Sequence, residues 1–189
     1  MNGRTAVYTG PRTIEIREYP VPDAAPGEIM LRIKQAGLCG SDLHIWRGEL
    51  GEPWPGGRPI GHEGLGTIHA LGQGVSTDST GQPLREGDRV TWFPIFSCQR
   101  CELCLAGDQH ICPKRQVAFK QSAGEAPYFF GTFGDFFYLP PNHPVFKVPD
   151  VVADEEVVSV NCAMGTVFQG LVDAGIRQAV SYTHLTLPT

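Results

Sequence analysis

Cys98, Cys101, Cys104 and Cys112 form the pattern C-x2-C-x2-C-x7-C, and no other feature of this chain limits its fold so narrowly. Close spacing lets the backbone turn back so that several sulfurs converge on one ion, and Zn²⁺ accepts four thiolates tetrahedrally at about 2.3 Å. Such a closed shell leaves no position for a substrate. Its role is structural: it holds a lobe at about residues 93–120 that has too few apolar side chains to fold by itself. Disulfides are the first alternative, and they need an oxidising compartment that nothing in the sequence indicates. An iron-sulfur cluster is the second, since the run approaches the bacterial ferredoxin spacing, but seven residues rather than three precede its last cysteine.

The chain has 189 residues, which suits one core and one domain better than two. Its formal charge of −5 comes from 15 Lys plus Arg against 20 Asp plus Glu, with no long basic run to neutralise phosphates, so nucleic acid is not expected as a partner. Nowhere do about 18 apolar residues run together, and Met1 to Tyr8 lacks a basic segment followed by an apolar one. A soluble, cytoplasmic protein without a membrane partner is expected. The 23 glycines and 16 prolines imply many turns and short strands, as in a barrel or sandwich.

Thr13-Ile14-Glu15-Ile16-Arg17 alternates as a strand with one buried face would, and Ile29, Leu31 and Ile33 share a face at period two before the chain enters Gly37-Leu38-Cys39-Gly40. Further strands are expected within Gly61 to Gly74, after the turn at Arg85 to Val90, and at Gly131 to Leu139 and Val145 to Val148. From Asp154 the pattern turns helical, with Asp154 as a cap, Glu155 and Glu156 in the first turn, and Val167, Leu171 and Ala174 at helical spacing before Gly175.

Cys39-Gly40-Ser41-Asp42-Leu43-His44 and Gly61-His62-Glu63 place a thiolate, imidazoles and carboxylates on loops after expected strands. Together with the four-cysteine loop, these segments resemble the zinc-containing alcohol dehydrogenases of the medium-chain dehydrogenase/reductase family, over roughly Ala6 to Gly175. The resemblance implies a mainly β fold with peripheral helices: a GroES-like β-barrel catalytic domain over residues 1–178 carrying the zinc-binding lobe. It implies two zinc ions per chain. Cys39, His62, Glu63 and Cys162, the last in Asn161-Cys162-Ala163-Met164-Gly165-Thr166, would hold a catalytic zinc, and the four-cysteine loop a structural one. All six cysteines are then used.

With three protein ligands and an open fourth position, such a zinc lowers the pKa of a bound alcohol so that an alkoxide can expel hydride. The family pattern gives Ser41 and His44 a proton path to solvent, Asp42 the task of orienting His62, Glu63 an approach to the metal during exchange, and Thr166 a contact with nicotinamide. The implied reaction is NAD(P)-dependent hydride transfer with an alcohol, secondary alcohol or polyol, or the corresponding carbonyl, in a full-length dimer or tetramer. The alternative from another class is a zinc-stabilised binding or structural module without catalysis. Aromatic residues Trp46, Trp54, Phe93 and Phe96 stand near the metal-bearing segments as candidate pocket lining or core.

No G-x-G-x-x-G after a strand occurs in the sequence, so the Rossmann domain that would bind NAD or NADP is expected to be missing and this chain to be an inactive fragment. Residues 179–189, from Ala179 through Val180-Ser181-Tyr182 to Thr189, lose the family pattern and are expected to be foreign sequence or a frayed terminus.

Overall fold

The computed structural model describes residues 1–53, 55–117 and 122–176. Trp54, the boundary near residue 178 and the stretch 179–189 lie outside the described residues.

A hairpin starts the chain: β1 (Asn2–Gly10) pairs antiparallel with β2 (Thr13–Pro20), and β1's other edge takes the short β4 (Arg58–Pro59). The larger sheet has five strands in the order β10-β6-β5-β3-β9, namely Val145–Lys147, Arg89–Trp92, Glu63–Leu71, Ile29–Gly37 and Phe136–Leu139. Every strand pairing among the described residues is antiparallel. A bridge between Thr5 and Gly134 ties the two sheets, and Arg4 reinforces it with an ion pair to Asp135 at 3.1 Å.

The strand β3 is central, and that changes its burial pattern. Ile29 and Leu31 pack into the main core with Val90, Trp92, Phe137 and Leu139, as their period-two spacing predicts. Met30, on the opposite face, is also buried, against Phe129 and Phe136. A strand paired on both edges and covered on both faces reads as a continuous apolar run rather than an alternation. The reverse holds at β2, where the expected buried face is open: Ile14 and Ile16 are exposed, since this outer strand has no layer packed over it. Trp92 and Phe137 stack at 4.7 Å between ring centroids at the centre of the core.

The helical pieces are peripheral: α1 (Gly40–Trp46), α2 (Glu102–Leu105), α3 (Asp154–Val157) and α4 (Gly165–Asp173), the last preceded by a π turn over Val160–Met164. Ala153, not Asp154, takes the cap position of α3. Asp154 is instead the anchor of that segment, paired with Lys34 of β3 and Arg89 of β6 at 2.6 Å each. Val157 adds an apolar contact with Leu65 and Val148. The chain is thereby pinned to the sheet just before Cys162. The lobe at 93–117 is held by the strand pair β7 (Ile95–Phe96) and β8 (Gln116–Val117) at its base.

His143 sits between β9 and β10, 8% exposed, with Nε2–H donating to the Phe93 carbonyl at 2.6 Å and its ring edge-on to Phe96. Burial pushes its pKa down to about 4, against a weaker opposing effect of the Phe93 carbonyl. A histidine kept neutral by the fold adds stability that is complete above its unfolded pKa of about 6.5 and is lost as pH falls toward the folded value. Between pH 6.5 and 4 the loss from this residue is expected to be on the order of 3 kcal/mol. His143→Gln, whose amide can donate to the same carbonyl, should flatten that part of the stability profile in urea unfolding, and an unchanged slope would contradict the assignment.

Candidate metal centres

The four-cysteine loop closes on itself. Cys101 caps α2, Cys104 lies within it, and Cys112 follows a short 3₁₀ turn at Gln109–Ile111, so local helical turns bring the thiols round to Cys98. Sulfur separations are 3.5 Å for Cys101–Cys104, 3.6 Å for Cys112–Cys98, and 3.9 Å for Cys98–Cys104 and Cys101–Cys112. Four thiolates at about 2.3 Å from one tetrahedral ion would stand about 3.8 Å apart. The observed spacing fits that figure, and all six cysteines are free thiols. Backbone N–H of Arg100, more than burial opposes it, holds the Cys98 thiol down at about 6, and Cys112 is lowered first by the backbone at Cys98. Burial and the neighbouring sulfurs push Cys104 up to about 11. Preformed amide donors stabilise thiolates, the form that binds metal.

A second cluster gathers from elements far apart in the chain. Cys39 caps α1 at the end of β3, His62 and Glu63 lead into β5, and Cys162 lies in the π turn, and one donor atom from each falls within 4.8 Å of the others. His62 Nε2 stands 3.4 Å from Cys162 Sγ, close to the roughly 3.6 Å expected between N and S ligands of one tetrahedral zinc. On the other side of the ring, His62 Nδ1 faces Asp42 Oδ1 at 3.4 Å, within ion-pair range though long for a hydrogen bond. Asp42 Oδ2 accepts the Cys39 N–H at 2.9 Å. One buried carboxylate therefore addresses two members of the cluster. Asn161, beside Cys162, donates to the His62 carbonyl at 3.2 Å.

The electrostatics favour a cation there. Burial would raise the Cys39 thiol, but hydrogen bonding to Ser41 and to His62 leaves it below its usual range. Burial would lower His62, yet Asp42 and Cys39 outweigh it and the pKa is raised. Cys162 is pushed up to about 12 by burial, then by the negative charges of Cys39 and Glu63. Glu63 Oε1 is buried without a hydrogen-bond partner among the described residues. Two soft sulfur donors, an imidazole and an unsatisfied carboxylate oxygen suit zinc. Both clusters therefore fit the metal the sequence suggested.

The other expected site residues sit around this cluster. Ser41 is half-buried against the Cys39 sulfur. His44 is exposed on α1, outside the donor set, with Nδ1 paired to Glu49 Oε2. Thr166 is exposed on α4, and its hydroxyl donates to the Cys162 carbonyl at 2.8 Å. Phe96 belongs to the core, and Trp46 lies half-buried under the Arg12 guanidinium at 5.9 Å. Sequence reasoning missed Asn161, whose signal was its place next to a candidate ligand.

Comparison with known proteins places this geometry in a family. Residues 25–150 match the family model described as the alcohol dehydrogenase GroES-like domain. The chain is 38% identical to 5-exo-hydroxycamphor dehydrogenase of Pseudomonas putida over 88% of its own length and 45% of that protein. It is 33% identical to a probable D-xylulose reductase A of Aspergillus fumigatus, over 79% of this chain and 39% of that one. The fold superposes on an alcohol dehydrogenase from Thermotoga maritima with a TM-score of 0.82 at 25% identity, over 92% of this chain and 48% of that one. The chain belongs to the alcohol dehydrogenase GroES-like domain family, within the medium-chain dehydrogenase/reductase group of alcohol and polyol dehydrogenases. It spans a little under half the length of these curated relatives.

Gly61 shows how tightly the His62 turn is built. Its φ is +84°, and a Cβ there would lie 2.5 Å from Thr132 Oγ1. Gly61→Ala should lower stability by about 1–3 kcal/mol through backbone strain alone. Equilibrium unfolding would measure the loss, and a neutral effect would contradict this backbone geometry.

Proposed function

We propose that this chain is the zinc-bearing catalytic domain, over residues 1–178 with a structural lobe at about 93–120, of a zinc-dependent NAD(P) alcohol dehydrogenase. The observation that carries the reading is the presence of two donor clusters of different kind, one all-sulfur and one mixed. Cys98, Cys101, Cys104 and Cys112 would hold a structural zinc. Cys39, His62, Glu63 and Cys162 would hold the catalytic one. A purely structural module has no use for the mixed cluster.

When bound, zinc at the mixed site would act as a Lewis acid toward an alcohol or carbonyl oxygen. The chain's own residues supply orientation and proton handling. Asp42 fixes the His62 ring through Nδ1 and the Cys39 backbone through its N–H, which leaves Nε2 and Sγ directed into the cluster. The Ser41 hydroxyl, beside Cys39, would accept the substrate hydroxyl proton as it hands its own on toward His44. His44, exposed on α1 with its Nδ1 paired to Glu49, passes it to water. Glu63, with one oxygen unsatisfied, is the cluster's variable donor during ligand exchange. Thr166, whose hydroxyl donates to the Cys162 carbonyl, would contact the nicotinamide of a bound cofactor. The names of the relatives favour secondary alcohols or polyols as substrates, and family membership favours NAD or NADP as hydride acceptor and a small homo-oligomer as the full-length state.

Metal analysis of the purified chain should find two zinc equivalents, and Cys39→Ser should remove one while leaving the other. One equivalent or none in the unaltered chain contradicts the reading. The described residues carry no dinucleotide fingerprint, so this polypeptide alone should show negligible NAD(P)-dependent alcohol oxidation in a spectrophotometric assay. Turnover by it would overturn that expectation.

A further inference from the structure

Cys162 reaches the mixed cluster on a part of the chain that the rest of the protein barely covers. Val157 is the last buried residue before it, and every residue from Ala163 to Gly175 is exposed. The segment forms a π turn there, a geometry that is uncommon and concentrates at functional sites. Packing therefore does little to fix the Cys162 sulfur, whereas Cys39, His62 and Glu63 stand at the adjoining ends of β3 and β5. The Cys162 N–H donates to the Ser159 carbonyl, and the Cys162 carbonyl accepts the Thr166 hydroxyl. Those bonds shape the turn without tying it to the sheet.

Asn161 supplies such a tie. Its Nδ2–H donates to the His62 carbonyl at 3.2 Å, joining residues 99 apart in the sequence. A carbonyl oxygen only accepts, so the amide must turn its nitrogen that way. Its Oδ1 is left buried without a hydrogen-bond partner among the described residues, which is destabilising. The amide is thus oriented for the bond to His62 at the expense of its own oxygen. One hydrogen bond connects the residue before a sulfur donor to the backbone of the imidazole donor, and in that arrangement His62 Nε2 stands 3.4 Å from Cys162 Sγ.

We infer that Asn161 is a positioning residue of the mixed cluster: its side-chain amide ties the π turn to the His62 backbone and so sets where the Cys162 sulfur stands. The inference rests on the reading of that cluster as a metal site. Groups that orient metal ligands from behind typically change metal affinity by about 10- to 100-fold when removed.

The test uses this chain with Zn²⁺ against a competing chelator for affinity and Co²⁺ for absorption, the part of the Co²⁺ spectrum lost in Cys39→Ser being that of the mixed site. Asn161→Leu, close in size but without a donor, should weaken the mixed site by about 10- to 100-fold. Its sulfur-to-cobalt charge-transfer absorption should fall toward that of Cys162→Ser, with the four-cysteine site unchanged as an internal control of folding. Asn161→Gln, which keeps the amide, should lose less affinity than Asn161→Leu. Because Asn161 acts through Cys162, Asn161→Leu introduced into Cys162→Ser should change affinity by less than about threefold. Full additivity of those two substitutions would overturn the inference, as would an unchanged mixed site in Asn161→Leu or equal losses in Asn161→Leu and Asn161→Gln. Loss of metal from both sites would overturn it too, by making Asn161 a requirement of the whole fold. If the unaltered chain takes up metal only at the four cysteines, it is the metal reading of the mixed cluster that fails, and this inference with it.

Discussion

Two sulfurs, a carboxylate and an imidazole whose donor atoms lie within 4.8 Å of one another form the point on which the rest of this structure converges. Burial first, and then the negative charges of Cys39 and Glu63, push Cys162 up to about 12. A divalent cation would add an attraction to each donor that outweighs their mutual repulsion. Behind the cluster, the buried Asp42 carboxylate faces the His62 ring and accepts the Cys39 N–H.

The sheet makes that concentration of charge possible. Cys39 leaves the end of β3, and His62 and Glu63 enter β5, its antiparallel partner, where Gly37 pairs with Glu63. Gly37 leaves room there for the Glu63 carboxylate, since a Cβ would come 2.5 Å from Glu63 Oε2 and displace it. Cys162 arrives from a different part of the chain, and its placement depends on Asp154 held between Lys34 and Arg89. Ion pairs that are half-exposed contribute little to overall stability, but here they set the register of one segment against the sheet. The four-cysteine lobe solves the opposite problem, since it has little apolar surface and relies on converging sulfurs.

The sequence was most legible where chemistry is local. The four-cysteine spacing pointed directly to a closed sulfur shell because turns over a few residues determine its geometry. Cys39, His62, Glu63 and Cys162 were legible only through family resemblance, since no local pattern says that residues so far apart meet. Burial was misread where tertiary context decides it: Met30 is covered because β3 is central, and Ile14 and Ile16 are open because β2 is not. Asp154 looked like a helix cap and is an ion-pair anchor, which depends on where Lys34 and Arg89 point.

X-ray absorption at the zinc edge tests the two-centre assignment most directly. One all-sulfur site and one site with two sulfurs and two N or O donors average to about three sulfurs at about 2.3 Å and one N or O at about 2.0–2.1 Å per zinc. A shell made only of sulfur, or one dominated by N and O, would contradict it.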